Sequence, residues 1–308
     1  MNITELKRQF KAGEIGKPAY IQAMLAWHET LFEYASFLRD TGIERIEIND
    51  AGVRFKLRDM PYEMECPASQ ARVAPIEILN FDQYEPAETG ALGRLLQGCS
   101  TILDVGANIG WFSLWFAHRL QAATIHAFEP LPDNFHFLAR NVAANGLGEK
   151  VLVYPYGLSD RAGTFDFYSY PTGSTNASLL NVSGAGNAVR VTGKTVMLDD
   201  WVRETGTAPD LLKCDVEGAE LLVFKGGEAS IARHRPIVFT EMLRKWSKPF
   251  GYHPNDVIEF FGRLGYDCHS IGPQGLAPFD KMTDASIETN FVFLHKQHHE
   301  HLVRELKG

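Results

Sequence analysis

Acidic residues stand at the ends of four short apolar runs in this sequence of 308 residues. They are Asp104, Glu129, Asp215 and Glu241, and Glu217 follows two residues after the third of them. In an open sheet of parallel strands, ligands bind beyond the carboxyl ends of the strands, so these side chains are expected at one edge. Carboxylates gathered there can bind hydroxyl and ammonium groups or accept a proton as a general base. The spacing therefore predicts one acid-rich ligand site.

The turn after Asp104 resembles a nucleotide-binding loop, with one departure. Gly106 and Gly110 permit backbone conformations that are closed to other residues, and they let a ligand approach the main chain. The dinucleotide fingerprint G-x-G-x-x-G is broken, because Asn108 and Trp111 occupy its second and third glycine positions. A pyrophosphate bound at the start of the following helix is therefore disfavoured.

A ligand with a nucleoside and an amino-acid tail fits these groups better. Glu129 ends the second run, where a ribose diol is normally bound, and Asp104 offers an acceptor for an ammonium group. S-adenosylmethionine has this composition, and S-adenosylhomocysteine would be its product. The residues predicted to bind it are Asp104, Gly106, Asn108, Gly110, Glu129 and Pro130.

Apolar runs and amphipathic helical segments alternate from residue 101 to residue 294. Near-continuous apolar strands with helices between them predict an α/β fold, with a mostly parallel sheet covered by helices on both faces. The last two runs are expected to form an antiparallel pair at one edge. The seven runs cover residues 101–105, 123–128, 151–156, 210–215, 236–241, 266–271 and 291–294.

Residues 1–85 carry a different pattern and are interpreted as an N-terminal extension to a domain at 86–308. Within 20–40, apolar residues recur at helical spacing. Within 43–57, apolar and polar residues alternate around a turn signal, which predicts a β-hairpin. The extension is therefore expected to be a helical and hairpin unit, and it offers a surface for acceptor binding or for forming a homo-oligomer.

The composition narrows the class of protein. A formal net charge of −8 and an isoelectric point of about 5.8 argue against a nucleic-acid partner. The four cysteines form no CxxC pair, which suits a reducing compartment. The sequence begins without a signal-peptide core, and no apolar run reaches the roughly 18–20 residues that span a bilayer. We therefore expect a cytoplasmic protein without a transmembrane segment.

Five stretches together resemble the FkbM family of S-adenosylmethionine-dependent methyltransferases. The resemblance covers about residues 100–242. It implies a class I methyltransferase fold, which is a Rossmann-like, seven-stranded, mostly parallel sheet with a reversed edge strand. It also implies O-methylation of sugar or polyketide hydroxyls, and it places Ser159 among the cofactor contacts. The stretches are "LDVGANIGWFSLWFA" (103–117), "AFEPLPDNFHFLARNVAANGL" (127–147), "YGLSDRAGTFDF" (156–167), "LLKCDVEGAELLVFKGG" (211–227) and "RPIVFTEM" (235–242).

Two further segments are assigned to ligands. Tyr84 and Glu85 lie in "FDQYEPAETGAL", which is similar to the family's approach to the first strand, and they are predicted to cover the methionine end of the cofactor. Packing or capping is the alternative. Ser174 and Asn176 lie in a polar insertion at about 163–195. Short hydroxyl and amide groups suit a hydroxyl-rich acceptor, and a solvated loop is the alternative.

Methyl transfer to a hydroxyl needs a general base or a metal that receives or displaces the hydroxyl proton. Asp215 and Glu217, with Lys213 on the same strand face as Asp215, are the predicted catalytic residues, and Asp215 is also expected beside the cofactor. Glu241 is predicted to contact the acceptor. No metal ligands are assigned. Carboxylates on one rim can nevertheless hold Mg²⁺, and that alternative stays open.

Other functions compete with O-methylation of a small molecule or glycan. A nucleotide-dependent oxidoreductase would need the glycines that Asn108 and Trp111 replace. A non-catalytic module would have lost the rim acids, which are present. A methyltransferase with a nitrogen acceptor often has Asn/Asp-Pro-Pro-Tyr where this chain has "CDVE" at 214–217.

Overall fold

The computed structural model describes residues 2–68, 70–169, 178–180, 189–272 and 275–306. The predicted helix and hairpin are both present in the N-terminal part, whereas the third strand of its small sheet was not predicted. The division of the chain at residue 85 stays a prediction. The elements are α1 (Ile3–Lys11), α2 (Lys17–Phe37), β1 (Ile43–Asn49), β2 (Gly52–Leu57), β3 (Glu63–Glu65), α3 (Ala74–Phe81) and α4 (Pro86–Leu95).

In most of the remaining chain, strands are separated by helices, as the apolar runs predicted. The first part contains β4 (Thr101–Val105), α5 (Trp111–Arg119), β5 (Thr124–Phe128), α6 (Pro132–Ala144), β6 (Val151–Tyr154), β7 (Gly157–Leu158), β8 (Gly163–Ser169) and β9 (Val189–Val196). The second part contains α7 (Leu198–Thr205), β10 (Leu211–Cys214), α8 (Glu220–Lys225), α9 (Glu228–His234), β11 (Ile237–Glu241), α10 (Arg244–Ser247), α11 (Pro254–Arg263), β12 (Tyr266–Gly272), β13 (Gly275–Pro278), β14 (Asn290–His295) and α12 (Glu300–Leu306).

The central sheet has the strand order β13-β12-β14-β11-β10-β4-β5-β6. The five strands from β11 to β6 are parallel, and β14 runs antiparallel to both β11 and β12. These seven strands confirm the predicted class I methyltransferase fold. An eighth strand, β13, lies in the Pro/Gly-rich segment between the last two predicted runs, where no strand was predicted. It escapes a pattern search because it is a four-residue edge strand that pairs only with β12.

Alternate residues of the central strands enter two separate hydrophobic clusters, one on each face of the sheet. Ile102 packs on one face with α4, α5, α6 and the small N-terminal sheet, whereas Leu103 packs on the other with α7, α8, α9 and α11. The same alternation recurs at Leu211 and Leu212 of β10. The sheet is therefore covered on both faces, as near-continuous apolar strands require.

Two asparagines of α6 connect the small N-terminal sheet to the central layers. The Asn141 side chain accepts from Glu65 N at 2.7 Å and donates to Glu65 O at 3.0 Å, and it also donates to Ile109 O at 2.8 Å. One helical turn later, Asn145 makes the same pair of bonds to Glu63, at 3.0 and 2.8 Å. The two amides thus satisfy the edge of β3 in the way that a neighbouring strand would.

The polar insertion at about 163–195 contains strands β8 and β9, which pair antiparallel, and β7 joins β9 in parallel. Within the described ranges, no helix combines the length and apolar character needed to cross a lipid bilayer.

Candidate active site

A cavity of about 350 Å³ opens at the carboxyl ends of β4, β5, β10 and β11. The strand order reverses between β4 and β10, and ligands of open α/β sheets bind at such a switch point. The cavity is large enough for a nucleoside-sized ligand. The predicted residues that line it are Tyr84, Glu85, Gly106, Asn108, Glu129, Pro130, Lys213, Asp215, Glu217 and Glu241.

The two glycines of the loop after β4 are required by close packing. Gly106 has φ +78°, and a Cβ there would lie 1.8 Å from Asp215 O. Gly110 has φ +95°, and a Cβ there would lie 2.7 Å from Leu138 Cδ1 of α6. The first glycine thus brings the loop against the end of β10, and the second seats the start of α5 on α6.

Glu129 joins the loops that follow β4 and β5. Its two carboxylate oxygens accept hydrogen bonds from Asn108 N and Leu131 N, each at 2.9 Å. Burial raises the pKa of Glu129 to about 7, against the opposing effect of these two amides. The buried side chain therefore fixes the loop geometry, and it also lines the cavity where a ribose was expected.

Lys213 lies between two carboxylates beneath the cavity. Its Nζ is 3.5 Å from Asp104 Oδ1 and 3.6 Å from Asp215 Oδ2, and it donates to Gly106 O at 3.3 Å. Burial lowers the pKa of Lys213, but Asp104, Asp215 and Glu85 more than offset this, so that its pKa is raised. The lysine is therefore a buried cation that connects β4 to β10 and to Asp215, which follows β10.

Several acids around Lys213 are shifted towards their protonated forms. Burial raises the pKa of Glu85 to about 7 and that of Glu241 to about 9, and Asp215 adds to both shifts. Burial and Asp215 also raise the pKa of Glu217 well above its ordinary value. The raised pKa values of Glu217 and Glu241 favour their protonated forms, and a protonated carboxyl group can donate a hydrogen bond.

Three lining residues other than glycine have a left-handed backbone. Glu85, Asn108 and Glu217 have φ values of 45°, 52° and 56°. Such conformations cost about 1–3 kcal/mol each and cluster at ligand sites. The side chains of Asn108 and Glu217 also carry buried oxygens, Oδ1 and Oε2, that have no hydrogen-bond partner within the described ranges. A polar ligand in the cavity would satisfy them.

The structure places three predicted cofactor residues behind the cavity lining. Asp104 is fully buried and accepts from Ser113 Oγ at 2.6 Å, besides its pairing with Lys213. Gly110 packs on α6, and Ser159 Oγ donates to Asp160 Oδ1 at 3.3 Å. These contacts support the site from below, and direct contact with a cofactor stays a prediction.

The predicted acceptor residues Ser174 and Asn176 lie outside the described residues. A nearby residue of the same insertion does reach the site, because Ser178 Oγ donates to Glu217 O at 2.7 Å. The insertion therefore contacts the rim that carries the predicted catalytic acids.

Glu220 shapes the loop that carries Glu217. Its carboxylate accepts from Val216 N at 3.2 Å and Gly218 N at 3.0 Å, and Tyr252 OH donates to it at 3.1 Å. Burial raises the pKa of Glu220 to about 7. The residue acts on the site by positioning, which favours a structural interpretation over a contact with substrate.

Aromatic residues that sequence reasoning missed form one wall of the cavity. Tyr84 packs against Trp111 with ring centroids 5.0 Å apart, and Phe112 lies under Lys213 Nζ at 5.1 Å. Trp246, with Lys245 Nζ 4.5 Å from its ring, lines the side after β11. Trp111 and Phe112 directly follow the glycine turn, and this position in the sequence could have indicated that they lie beside the ligand site. Trp246 has no motif that would have revealed it.

No group of three or more His, Cys, Asp or Glu side chains within the described ranges is arranged to hold a metal ion.

Comparisons with known proteins agree with this geometry. Residues 104–268 match the model of the methyltransferase FkbM domain. Methyltransferase sdnD of Sordaria araneosa is 34% identical over 181 residues, covering 50% of this chain and 68% of that protein. Hexuronic acid methyltransferase AglP of Haloferax volcanii is 34% identical over 125 residues, covering 40% of this chain and 48% of that protein.

A third relative is 31-O-demethyl-FK506 methyltransferase FkbM of Streptomyces tacrolimicus. It is 33% identical over 176 residues, covering 47% of this chain and 66% of that protein. The residues that the family model matches include the loop after β4 and the strands β5, β10 and β11 with the loops that follow them. The family model spans more than half of the chain, and the chain belongs to the FkbM-domain family of methyltransferases.

Proposed function

We propose that the protein transfers a methyl group from S-adenosylmethionine to a hydroxyl group of a sugar, glycan or secondary metabolite. The observation that carries this proposal is the acid-lined cavity at the switch point between β4 and β10. Six acidic residues line it, namely Glu77, Glu85, Glu129, Asp215, Glu217 and Glu241.

The lining fits the proposed cofactor in shape and charge. Gly106 and Asn108 place the main chain of the loop along the cavity, and Glu129 stands where a ribose diol is normally bound. S-adenosylmethionine carries a sulfonium and an ammonium group, and an acidic lining favours both cations. Glu129, Asn108, Glu85 and Tyr84 would hold the cofactor, which supplies an electrophilic methyl group when bound.

Asp215 is the proposed general base. Lys213 holds its Oδ2 at 3.6 Å, which leaves Oδ1 for the acceptor hydroxyl. The Asp215 side chain is 32% exposed, so that an acceptor can reach it from the cavity mouth. As the methyl group is transferred, the hydroxyl proton passes to Asp215 Oδ1.

Glu217 and Glu241 are proposed to orient the acceptor. Burial and Asp215 favour the protonated forms of both side chains, and in that form they can donate hydrogen bonds to acceptor oxygens, while Asp215 accepts one. A hydroxyl-rich molecule offers both kinds of partner. The names of AglP, a hexuronic acid methyltransferase, and of the FK506-modifying relative support sugar and metabolite acceptors, respectively.

The cofactor is tested by calorimetric titration of S-adenosylhomocysteine and of NAD into the protein and two variants. Glu129→Gln removes the buried carboxylate, and Glu149→Gln changes an exposed residue as the matched control. We expect binding of S-adenosylhomocysteine but not NAD, with at least about tenfold weaker affinity only in Glu129→Gln, since a charged hydrogen bond contributes roughly 1.5–3 kcal/mol. Unchanged affinity in the folded Glu129→Gln variant would contradict the assignment.

The acceptor is tested by transfer of a labelled methyl group to a panel of sugars, oligosaccharides and metabolites, with and without EDTA. Label on oxygen, insensitive to EDTA, supports the proposal. Label on nitrogen would establish the alternative acceptor. Activity abolished by EDTA and restored by Mg²⁺ would reassign the rim acids as metal ligands.

A further inference from the structure

The turn that carries Glu217 has a backbone conformation that a glutamate does not favour. Glu217 and Gly218 are consecutive residues with left-handed φ values of 56° and 97°. Glycine adopts such a conformation freely, whereas a residue with a Cβ persists in it only where the surrounding structure holds it. Contacts from outside the turn are therefore needed to keep Glu217 in this conformation.

Hydroxyl groups from two distant segments contact the two carbonyl groups of this turn. Ser178 Oγ donates to Glu217 O at 2.7 Å, and Tyr252 OH lies 2.9 Å from Gly218 O. Ser178 belongs to the insertion between β8 and β9, whereas Tyr252 precedes α11. From the start of α8, the Glu220 carboxylate accepts from Gly218 N at 3.0 Å. Among these three contacts, that of Ser178 is made to Glu217 itself.

Ser178 is in turn fixed to strand β8. Its N and O atoms exchange hydrogen bonds with Tyr168 O and N, at 3.2 and 2.8 Å, and the residue is 1% exposed. The next residue, Leu179, lines the active-site cavity together with Phe167 of β8. The insertion therefore forms part of the cavity wall and brings a buried hydroxyl donor to the rim that carries Glu217.

We propose that Ser178 is a positioning residue that aims the Glu217 carboxyl group at the acceptor, so that the insertion takes part in acceptor recognition through this bond. Glu217 lines the cavity, and its buried Oε2 has no hydrogen-bond partner within the described ranges. Such a group orients a ligand well only if its own backbone is held in one geometry. The inference rests on the proposed contact of Glu217 with the acceptor.

The first test needs no acceptor. Hydrogen exchange of the full-length protein, read by mass spectrometry, reports opening of the turn through the amides of Val216 and Gly218, which donate to Glu220. Ser178→Ala should speed exchange in peptides covering 216–220 about fivefold, the factor that one hydrogen bond contributes. Unchanged exchange in this folded variant overturns the proposal, whatever the reaction is.

The matched control for exchange is Asp166→Asn. It breaks an exposed pair of 3.6 Å with Arg190 between the two strands of the same insertion. Exchange across 216–220 should stay at the wild-type rate. Circular dichroism and titration of S-adenosylhomocysteine show that each variant is folded, and both should give wild-type values.

The second test separates positioning of Glu217 from general support of the fold. It uses labelled-methyl transfer to the sugar, oligosaccharide or metabolite of highest turnover in the panel. Ser178→Ala should lower kcat/KM for that molecule about fivefold and leave the KM of S-adenosylmethionine unchanged. In a Glu217→Ala background, the same substitution should change kcat/KM by less than about twofold, because the side chain that Ser178 positions is absent.

The two backgrounds distinguish the ways in which the proposal can fail. Equal losses on Ser178→Ala in both backgrounds overturn the positioning role, since the effect then does not pass through the Glu217 side chain. Normal activity of Ser178→Ala beside an impaired Glu217→Ala overturns the inference alone. Normal activity of Glu217→Ala overturns both the inference and the proposed contact of Glu217 with the acceptor.

Discussion

Lys213 Nζ lies 3.5 Å from Asp104 Oδ1, and the two residues are register partners on the adjacent parallel strands β10 and β4. Both side chains are almost completely buried. The pair therefore connects the strand before the glycine loop to the strand that precedes the proposed catalytic acids, and neither charge can turn to water if its partner is lost.

Lys213→Met should destabilise the protein by about 3–5 kcal/mol, because it leaves a buried carboxylate unpaired. Lys213→Met combined with Asp104→Leu should recover much of that loss. The control is Lys296→Met, which breaks an exposed Lys–Asp pair of 3.3 Å and should cost at most about 1 kcal/mol. Denaturant unfolding measures all three free energies, and a similar loss for the two single variants would contradict the role of burial.

Gly106→Ala tests the close approach of the cofactor loop to β10. A second glycine, Gly98, also has a left-handed φ, of +83°, but a Cβ there would meet nothing within 4 Å. Both alanine variants carry similar backbone strain, and only Gly106→Ala adds the clash with Asp215 O. We expect Gly106→Ala to be less stable than Gly98→Ala by about 1–3 kcal/mol and to bind S-adenosylhomocysteine more weakly. Equal thermal unfolding and equal affinity would show that the loop relaxes freely.

Asp215→Asn should lower kcat by about 10²–10⁴-fold, the usual contribution of a positioned base, with cofactor affinity nearly unchanged. Glu217→Gln keeps a hydrogen-bond donor, so it should lower kcat less than Asp215→Asn does if Glu217 orients the acceptor. If Glu217 is instead the base, the two variants should lower kcat by similar factors. Lys213→Met should reduce kcat less than the more damaging acid variant.

The control for these kinetics is Asp50→Asn, a change at the exposed hairpin turn. Rates would be measured by labelled-methyl transfer at saturating cofactor. If both rim acids can be replaced with near-normal turnover, Glu241 is the next candidate for the base.

The free energy of unfolding should fall as the pH rises, through the raised pKa of Glu241. In the folded protein this side chain keeps its proton up to pH about 9, whereas the unfolded chain releases it near the ordinary value of 4.5. The contribution is fully present below pH 4.5 and is lost as the pH rises through 9. Between about pH 5 and pH 9, the free energy of unfolding of Glu241→Gln should therefore change less with pH than that of the wild type. Urea unfolding at a series of pH values measures both. Parallel profiles would contradict the protonated state.

The sheet and the edge that holds the acids were predictable, because parallel strands must place their carboxyl ends together. Glu129, Asp215 and Glu241 end apolar runs, and the structure brings all three to one cavity. The pairing of Lys213 with Asp104 was not predictable, since it depends on the register between strands more than a hundred residues apart. Trp246 reaches the cavity from α10, and this helix of four residues is too short to show a periodic pattern in the sequence.

A local sequence pattern also does not show which other element, if any, packs against the helix or strand that it predicts. The pattern within residues 20–40 predicted a helix correctly, but the apolar spacing gave no sign that no residue of α2 would be buried. Similarly, the polar composition of the insertion gave no sign of strands β8 and β9. These strands pair with each other outside the central sheet, so they lack the apolar runs of the central strands.

The bonds from Asn141 and Asn145 to the edge of β3 limit how this protein can be recombined with its relatives. Asn141 holds β3 and Ile109 O of the cofactor loop at the same time. A chimera that keeps the methyltransferase half and discards the first 66 residues would remove the bonds of both amides to Glu63 and Glu65 and would uncover one face of the core. The N-terminal segment therefore cannot be exchanged alone, and a stable chimera must take this segment and α6 from the same protein.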